Sequence, residues 1–179
     1  MLHTDTAALL LIDIQGKLAE IMYEKELLFK NVQNLIKGFQ VLDMPILWVE
    51  QNPQRLGPTV PEITELLTDL QPISKMSFSS CRELAFRQQL QELNRHQILL
   101  AGIETHVCVY QSAVDLLELG HEVHVVTDAV SSRTRVNKEI GLLRMRESGV
   151  FSTGVETALF ELLQVAEGDA FREILRILK

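Results

Sequence analysis

Four short segments limit what this chain can fold into. Ala7–Ile12, Ile46–Val49 and Ile98–Ala101 are apolar at every position, and Val123–Thr127 carries His124 among its valines. Runs this short suit strands rather than helices. A run that is apolar at every position, rather than at every second one, is buried on both faces. Between these runs lie longer stretches with apolar residues at helical spacing. Strands that alternate with helices in this way form a parallel sheet with helices on both faces. An extended stretch at Ile73–Phe78 and a short one at Val150–Thr153 complete the set. The expected fold is α/β: a single domain over residues 1–179, with six mostly parallel strands in a three-layer, doubly wound sheet flanked by helices.

The expected helices follow from periodicity and from breakers. Lys17–Leu42 reads as one long helix, with Leu18, Ile21, Met22, Leu28, Val32, Leu35, Ile36 and Phe39 close to a 3.6 period. Pro61 suits the first turn of a short helix through Leu70, and Ser79 or Ser80 suits the cap of a helix over Cys81–Leu93. A helix should start at Val107 and stop at Gly120. Asn137–Glu147, Val155–Leu163 and Ala170–Leu178 are expected to be helical. In the last, Phe171, Ile174, Leu175 and Leu178 form an apolar stripe that suits either the sheet or a second copy of the chain.

Composition removes several function classes. The net charge is −7, and no basic patch of the kind nucleic acid requires is present. Two cysteines, Cys81 and Cys108, argue against a disulfide scaffold and fit a reducing, cytoplasmic setting. No signal-peptide pattern is evident, and the longest apolar run is far too short to span a bilayer. Neither G-x-G-x-x-G nor G-x-x-x-x-G-K-[ST] occurs.

Chemistry is expected where the strands end, because open α/β sheets bind ligands at their carboxyl edge. Asp13, Glu50, Cys108 and Asp128 fall at or just past such ends, and Lys75 lies in the extended Ile73–Phe78 stretch. Read as the first turn of a helix, the Cys108 position should lower the thiol's pKa. Each residue also has a plain structural reading. Cys108 suits a small buried hydrophobe, Asp13 a helix cap, Lys75 the surface, and Asp128 a contact with backbone in the Ala129–Ser132 turn.

Three motifs in order carry a resemblance: Leu11-Ile12-Asp13-Ile14-Gln15, Ser74-Lys75-Met76-Ser77-Phe78 and Gly102-Ile103-Glu104-Thr105-His106-Val107-Cys108-Val109. They resemble the isochorismatase-like cysteine hydrolases, with their Rossmann-type topology, over nearly the whole chain. The Glu50–Pro61 stretch is similar to the branch of isochorismatase domain-containing proteins 1 and 2. The resemblance implies a catalytic triad, with Cys108 as nucleophile, Asp13 as general base and acid, and Lys75 as the positive partner. It also implies a cis peptide at Ile103–Glu104 that turns the Glu104 N–H toward the site. There it would join the Cys108 N–H as an oxyanion hole. Nicotinamidases of this superfamily bind a metal through an Asp and histidines after the second strand. Gln51–Thr59 contains no histidine, so neither metal nor other cofactor is expected.

The expected activity is therefore cysteine amidohydrolase chemistry on a small amide, with Gln15, Trp48 and Phe78 as pocket-lining candidates near the catalytic ends. His106 is an unfavourable base, because positions two apart on a helix do not face each other. The expected partners are a small-molecule substrate and further copies of the chain in a homo-oligomer, not nucleic acid or membrane. A non-catalytic interaction protein and a thiol redox protein with the same fold stay open. The latter lacks C-x-x-C and would need Cys81 close to Cys108.

Overall fold

The apolar runs pair side by side in one sheet. In the computed structural model, which describes residues 1–179, the strands are β1 (Ala7–Ile12), β2 (Ile46–Gln51), β3 (Ile73–Lys75), β4 (Gln97–Ile103), β5 (Glu122–Ser131) and β6 (Phe151–Thr153). Their order is β3-β2-β1-β4-β5-β6, and every neighbouring pair is parallel. Successive side chains on a strand point to opposite faces, so each fully apolar run feeds two cores. Leu9 and Leu11 join one core with Leu99 and Ala101, while Ala8, Leu10 and Ile12 join the other with Ile98 and Leu100.

The first core is covered by α2 (Lys25–Val41), α8 (Val155–Leu163) and α9 (Gly168–Leu178). The second is covered by α5 (Leu84–Leu93), α6 (Tyr110–Glu118) and α7 (Arg135–Glu147). Of the apolar stripe of α9, Ile174 is fully buried and Leu178 packs on the first core, Phe171 and Leu175 stay half-buried, and the helix rests on α2 and α8.

Three expected helices are interrupted, each for a local reason. Lys17–Leu42 divides into α1 (Gly16–Glu20) and α2, with Glu24 left-handed at φ +53°. The link is tied to the end of β5: the Tyr23 N–H donates to Ser132 O at 2.9 Å, and Ser131 Oγ donates to Tyr23 O at 2.6 Å. Besides the four-residue α3 (Pro53–Leu56), the chain has α4 (Pro61–Thr64), which gives way to i→i+3 turns before Leu70. Cys81–Leu93 becomes a 3-10 turn at Ser80–Arg82 and then α5, split by extended Glu83. The Glu83 carboxylate accepts from the Met76 and Ser77 N–H groups and from Ser77 Oγ, which holds that residue out of the helix. Ser79 does cap the 3-10 turn, accepting from the Cys81 N–H.

β5 runs past Asp128, where the sequence suggested it would end. A register shift between Leu100 and Gly102 on β4 lets Val130 and Ser131 pair on. Asp128 is therefore a strand residue, not a turn residue. Its Oδ1 accepts the Val155 N–H at 3.0 Å and so caps α8. No helix is long and apolar enough to cross a membrane.

The order of the strands decides where chemistry is possible. The chain runs outward from β1 through β2 to β3, then returns to place β4 on the other side of β1. The carboxyl ends of β1 and β4 thus flank the point where the winding reverses, the usual crevice for ligands in such sheets.

Candidate active site

Asp13 leaves β1 with φ +54°, a left-handed conformation that aspartate tolerates better than most residues. Lys75 ends β3 and sits in register with Gln51 of β2. Its ammonium lies 2.7 Å from Asp13 Oδ2 and 2.8 Å from Gln51 Oε1, and it donates to the Phe78 and Ser77 carbonyls at 3.1 and 3.3 Å. The Lys75 and Asp13 side chains are 0% and 3% exposed. A buried ammonium is tolerable only when paired and hydrogen-bonded in this way. The second carboxylate oxygen, Asp13 Oδ1, is buried with no hydrogen-bond partner of ordinary geometry. The Cys108 thiol is close enough to act on the proton affinity of this carboxyl group.

Cys108 lies in a π turn, Thr105–Val109, that precedes α6. The Val107 and Val109 N–H groups both donate to Glu104 O, at 3.0 and 3.3 Å. Such wide turns recur at functional sites. The turn rests on α7 at Gly141, where any Cβ would fall 2.7 Å from His106 N and the Thr105 carbonyl carbon. The Ile103–Glu104 peptide is cis, and the Glu104 N–H meets no protein acceptor.

Burial pushes the Cys108 thiol up to about 12; the Asp13 charge adds to this and Lys75 offsets only part of it. The expected lowering by a helix N-terminus does not occur, because α6 begins at Tyr110 and Cys108 is packed beside a carboxylate. Cys81 is also pushed up to about 12, chiefly by burial. Burial likewise holds the Asp13 carboxyl above the usual carboxylate range, with Lys75 pulling it back.

Asp13, Cys108 and Gln51 line one small cavity of about 110 Å³ together with Leu18, Leu56, Phe78, Ile103, Val107 and Glu104. Of the three pocket candidates only Phe78 belongs to it, as a half-exposed ring at 54%. Gln15 is fully buried and clamps the backbone instead: its Nε2 donates to Gln51 O and Gly57 O, and its Oε1 accepts the Gln51 N–H. Trp48 alternates to the far side of β2, where its Nε1 donates to Thr59 Oγ1 at 2.8 Å. That hydroxyl donates to Glu50 Oε1, which also accepts the Thr59 N–H, so Glu50 anchors a loop and stands outside the cavity. The Glu104 carboxylate is taken by Arg133, and His106 Nδ1 lies 3.0 Å from Ser132 Oγ.

Sequence reasoning missed Gln51, Leu18, Leu56 and Val107. Gln51 was signalled by its place directly after Glu50 at a strand end; the three apolar residues look like ordinary core positions. No group of three or more His, Cys, Asp or Glu side chains is placed to hold a metal ion.

Comparison with known proteins agrees with this geometry. The isochorismatase domain family model matches residues 7–157. Isochorismatase domain-containing protein 2 of Danio rerio is 38% identical over 178 residues, 99% of this chain and 89% of the relative. The MAR1 ribonuclease structure from Caenorhabditis elegans superposes with a TM-score of 0.92 at 32% identity, covering 99% of this chain and 91% of that one. YcaC from Pseudomonas aeruginosa, solved with hexane-2,5-diol and covalent acrylamide, gives a TM-score of 0.92 at 25% identity, covering 98% of this chain and 90% of that one. The strand order, the crevice between β1 and β4 and these matches agree: the chain belongs to the isochorismatase domain family.

Proposed function

We propose that this protein is a cysteine amidohydrolase in which Asp13, Lys75 and Cys108 act as one unit. The observation that carries the reading is Asp13 Oδ1: a buried carboxylate oxygen without a hydrogen-bond partner, lining the same cavity as the only other nucleophilic group there, Cys108. Leaving a buried acceptor unsatisfied costs about 1–3 kcal/mol, so the arrangement makes sense as a proton acceptor waiting for a donor. Covalent acrylamide on the P. aeruginosa YcaC structure adds support, since acrylamide is an electrophile that thiols capture.

A thiol near 12 rests protonated at neutral pH, so the proton must leave as the sulfur attacks. Cys108 Sγ forms the C–S bond, its proton passes to Asp13, and the carbonyl π electrons move to oxygen. The Glu104 N–H, with the Cys108 N–H, receives that oxyanion. The C–N bond then breaks, the proton on Asp13 goes to nitrogen, and ammonia or an amine departs from a thioester. Water next gives a proton to Asp13 and its oxygen to the carbonyl carbon. The C–S bond breaks and Asp13 returns the proton to sulfur. The net change is amide plus water to carboxylic acid plus amine. Lys75 keeps Asp13 anionic between steps, and Gln51 fixes Lys75.

A ribonuclease reading, suggested by the name of the C. elegans neighbour, has less support. The net charge of −7 opposes phosphate binding, and the cavity is too small for a nucleotide. The test is ammonia release from an amide panel, with RNA degradation assayed in parallel, for the wild type and Cys108→Ala. Amide turnover lost in Cys108→Ala, with a thioester adduct on Cys108 by mass spectrometry, is expected. Turnover that survives in Cys108→Ala, or RNA cleavage alone, would sink the proposal.

A further inference from the structure

Resting on that reading, we infer that the substrate is a small, uncharged amide with a short aliphatic acyl group, read by Leu18, Leu56, Phe78 and Val107. Three observations lead there. The first is size. A cavity of about 110 Å³ lies below the usual range for drug-sized ligands and suits a small molecule. An amide group fills part of that space and leaves room for a short acyl chain before the half-exposed Phe78 ring is reached.

The second observation is wall chemistry. Apart from Cys108, the wall is built from Leu18, Leu56, Phe78, Ile103 and Val107 together with three polar side chains, Asp13, Gln51 and Glu104. No arginine or histidine faces the space, and the Lys75 ammonium is already surrounded by four acceptors.

The third is a hydrogen-bond count. Gln51 is held by Lys75 and by Met76 O, and Glu104 by Arg133. One Asp13 oxygen is held by Lys75. What remains for a substrate is a pair: the backbone donors proposed for the oxyanion, the N–H groups of Glu104 and Cys108, and one acceptor, Asp13 Oδ1. That pair matches the carbonyl and nitrogen of a single amide and leaves nothing for a second polar group. A substrate carboxylate would be buried against leucine and valine side chains without a counter-ion. Sites of this kind discriminate strongly, because an unpaired polar group has no way to recover its hydration.

The experiment has two arms. In the first, ammonia release is compared for butyramide, the charged analogue succinamate, and the bulkier benzamide. Butyramide should exceed each of the others in kcat/KM by at least about tenfold. In the second, the alkylation rate of Cys108 is measured with neutral iodoacetamide and anionic iodoacetate, each divided by the rate for free glutathione at the same pH. The normalised ratio should favour iodoacetamide by about tenfold, and Phe78→Lys, at an exposed position, should bring it toward unity. The second arm does not depend on turnover, so it judges the pocket even if no amide is hydrolysed. That failure would count against the amidohydrolase reading alone. Equal normalised rates in the wild type, or succinamate turned over as well as butyramide, would overturn the inference.

Discussion

Replacing Lys75 with methionine should produce a stability loss that depends on pH in a defined direction. Lys75 and Asp13 are both buried and 2.7 Å apart. Removing one partner of a buried ion pair typically costs about 3–5 kcal/mol, because the other charge is left uncompensated. Methionine fills the lysine stem, so little of the loss is cavity. In the wild type, burial already raises the Asp13 carboxyl above the usual carboxylate range, and Lys75 is the largest influence lowering it. A carboxyl whose folded pKa is raised contributes stability that is complete at low pH and is lost as pH rises through the folded pKa. Without Lys75 that folded pKa rises further, and the loss extends to higher pH. The expected result is a deficit of about 3–5 kcal/mol at neutral pH that shrinks on acidification, each pH unit below the new pKa returning at most ~1.4 kcal/mol. Urea unfolding of the wild type and Lys75→Met across the acid-to-neutral range measures it. Asp13→Asn in the Lys75→Met background should recover most of the deficit, since asparagine is neutral and tolerates the left-handed backbone. A deficit below about 0.5 kcal/mol, or one that is the same at every pH, would refute the reasoning.

The remaining expectations are simpler. Amide hydrolysis should fall as pH drops through the raised Asp13 pKa, so the acid limb of kcat/KM should lie above the usual carboxylate range; a limb at the ordinary position would remove Asp13 as the base. Gln51→Ala should lower kcat by about tenfold while costing roughly 1–2 kcal/mol, because Lys75 loses an acceptor; unchanged kcat would make Gln51 purely structural. Trp48→Phe should cost about 1–2 kcal/mol by leaving Thr59 without its donor, with kcat/KM for small amides unaltered, since the ring lies outside the cavity. Gly102→Ala should prevent stable folding, as its φ is +126° and a Cβ would fall 2.0 Å from Ile12 O; a soluble, cooperatively melting variant would contradict this.

The strands were legible because burial on both faces erases the alternation that would otherwise confuse them with surface segments. Ala7–Ile12 and Ile98–Ala101 are found as read or within a longer strand. The layers and the carboxyl edge of the sheet follow from that alone. What the sequence hid was set by contacts distant in the chain. Nothing local to Ile21–Glu24 announces that Tyr23 is tied to Ser131 and Ser132. Asp128 looked like a strand end because no local signal reveals the register shift opposite it. Gln15 and Trp48 lie near the carboxyl ends of β1 and β2 along the chain, but their side chains take other directions. The electrostatics of Cys108 were misread for the same reason: the carboxylate beside it arrives from ninety-five residues away.

Gly141 has one further consequence. With backbone packed on backbone and no side chain between, the turn that carries Cys108 has no cushion against α7. The two should open together as one cooperative unit in native-state amide exchange. The Val107 and Val109 amides, both bonded to Glu104 O, should therefore exchange at the rate of the α7 amides and not at the rate of the loops that surround the cavity mouth. The timing of Cys108 exposure would then be governed by a helix that lines no part of the cavity.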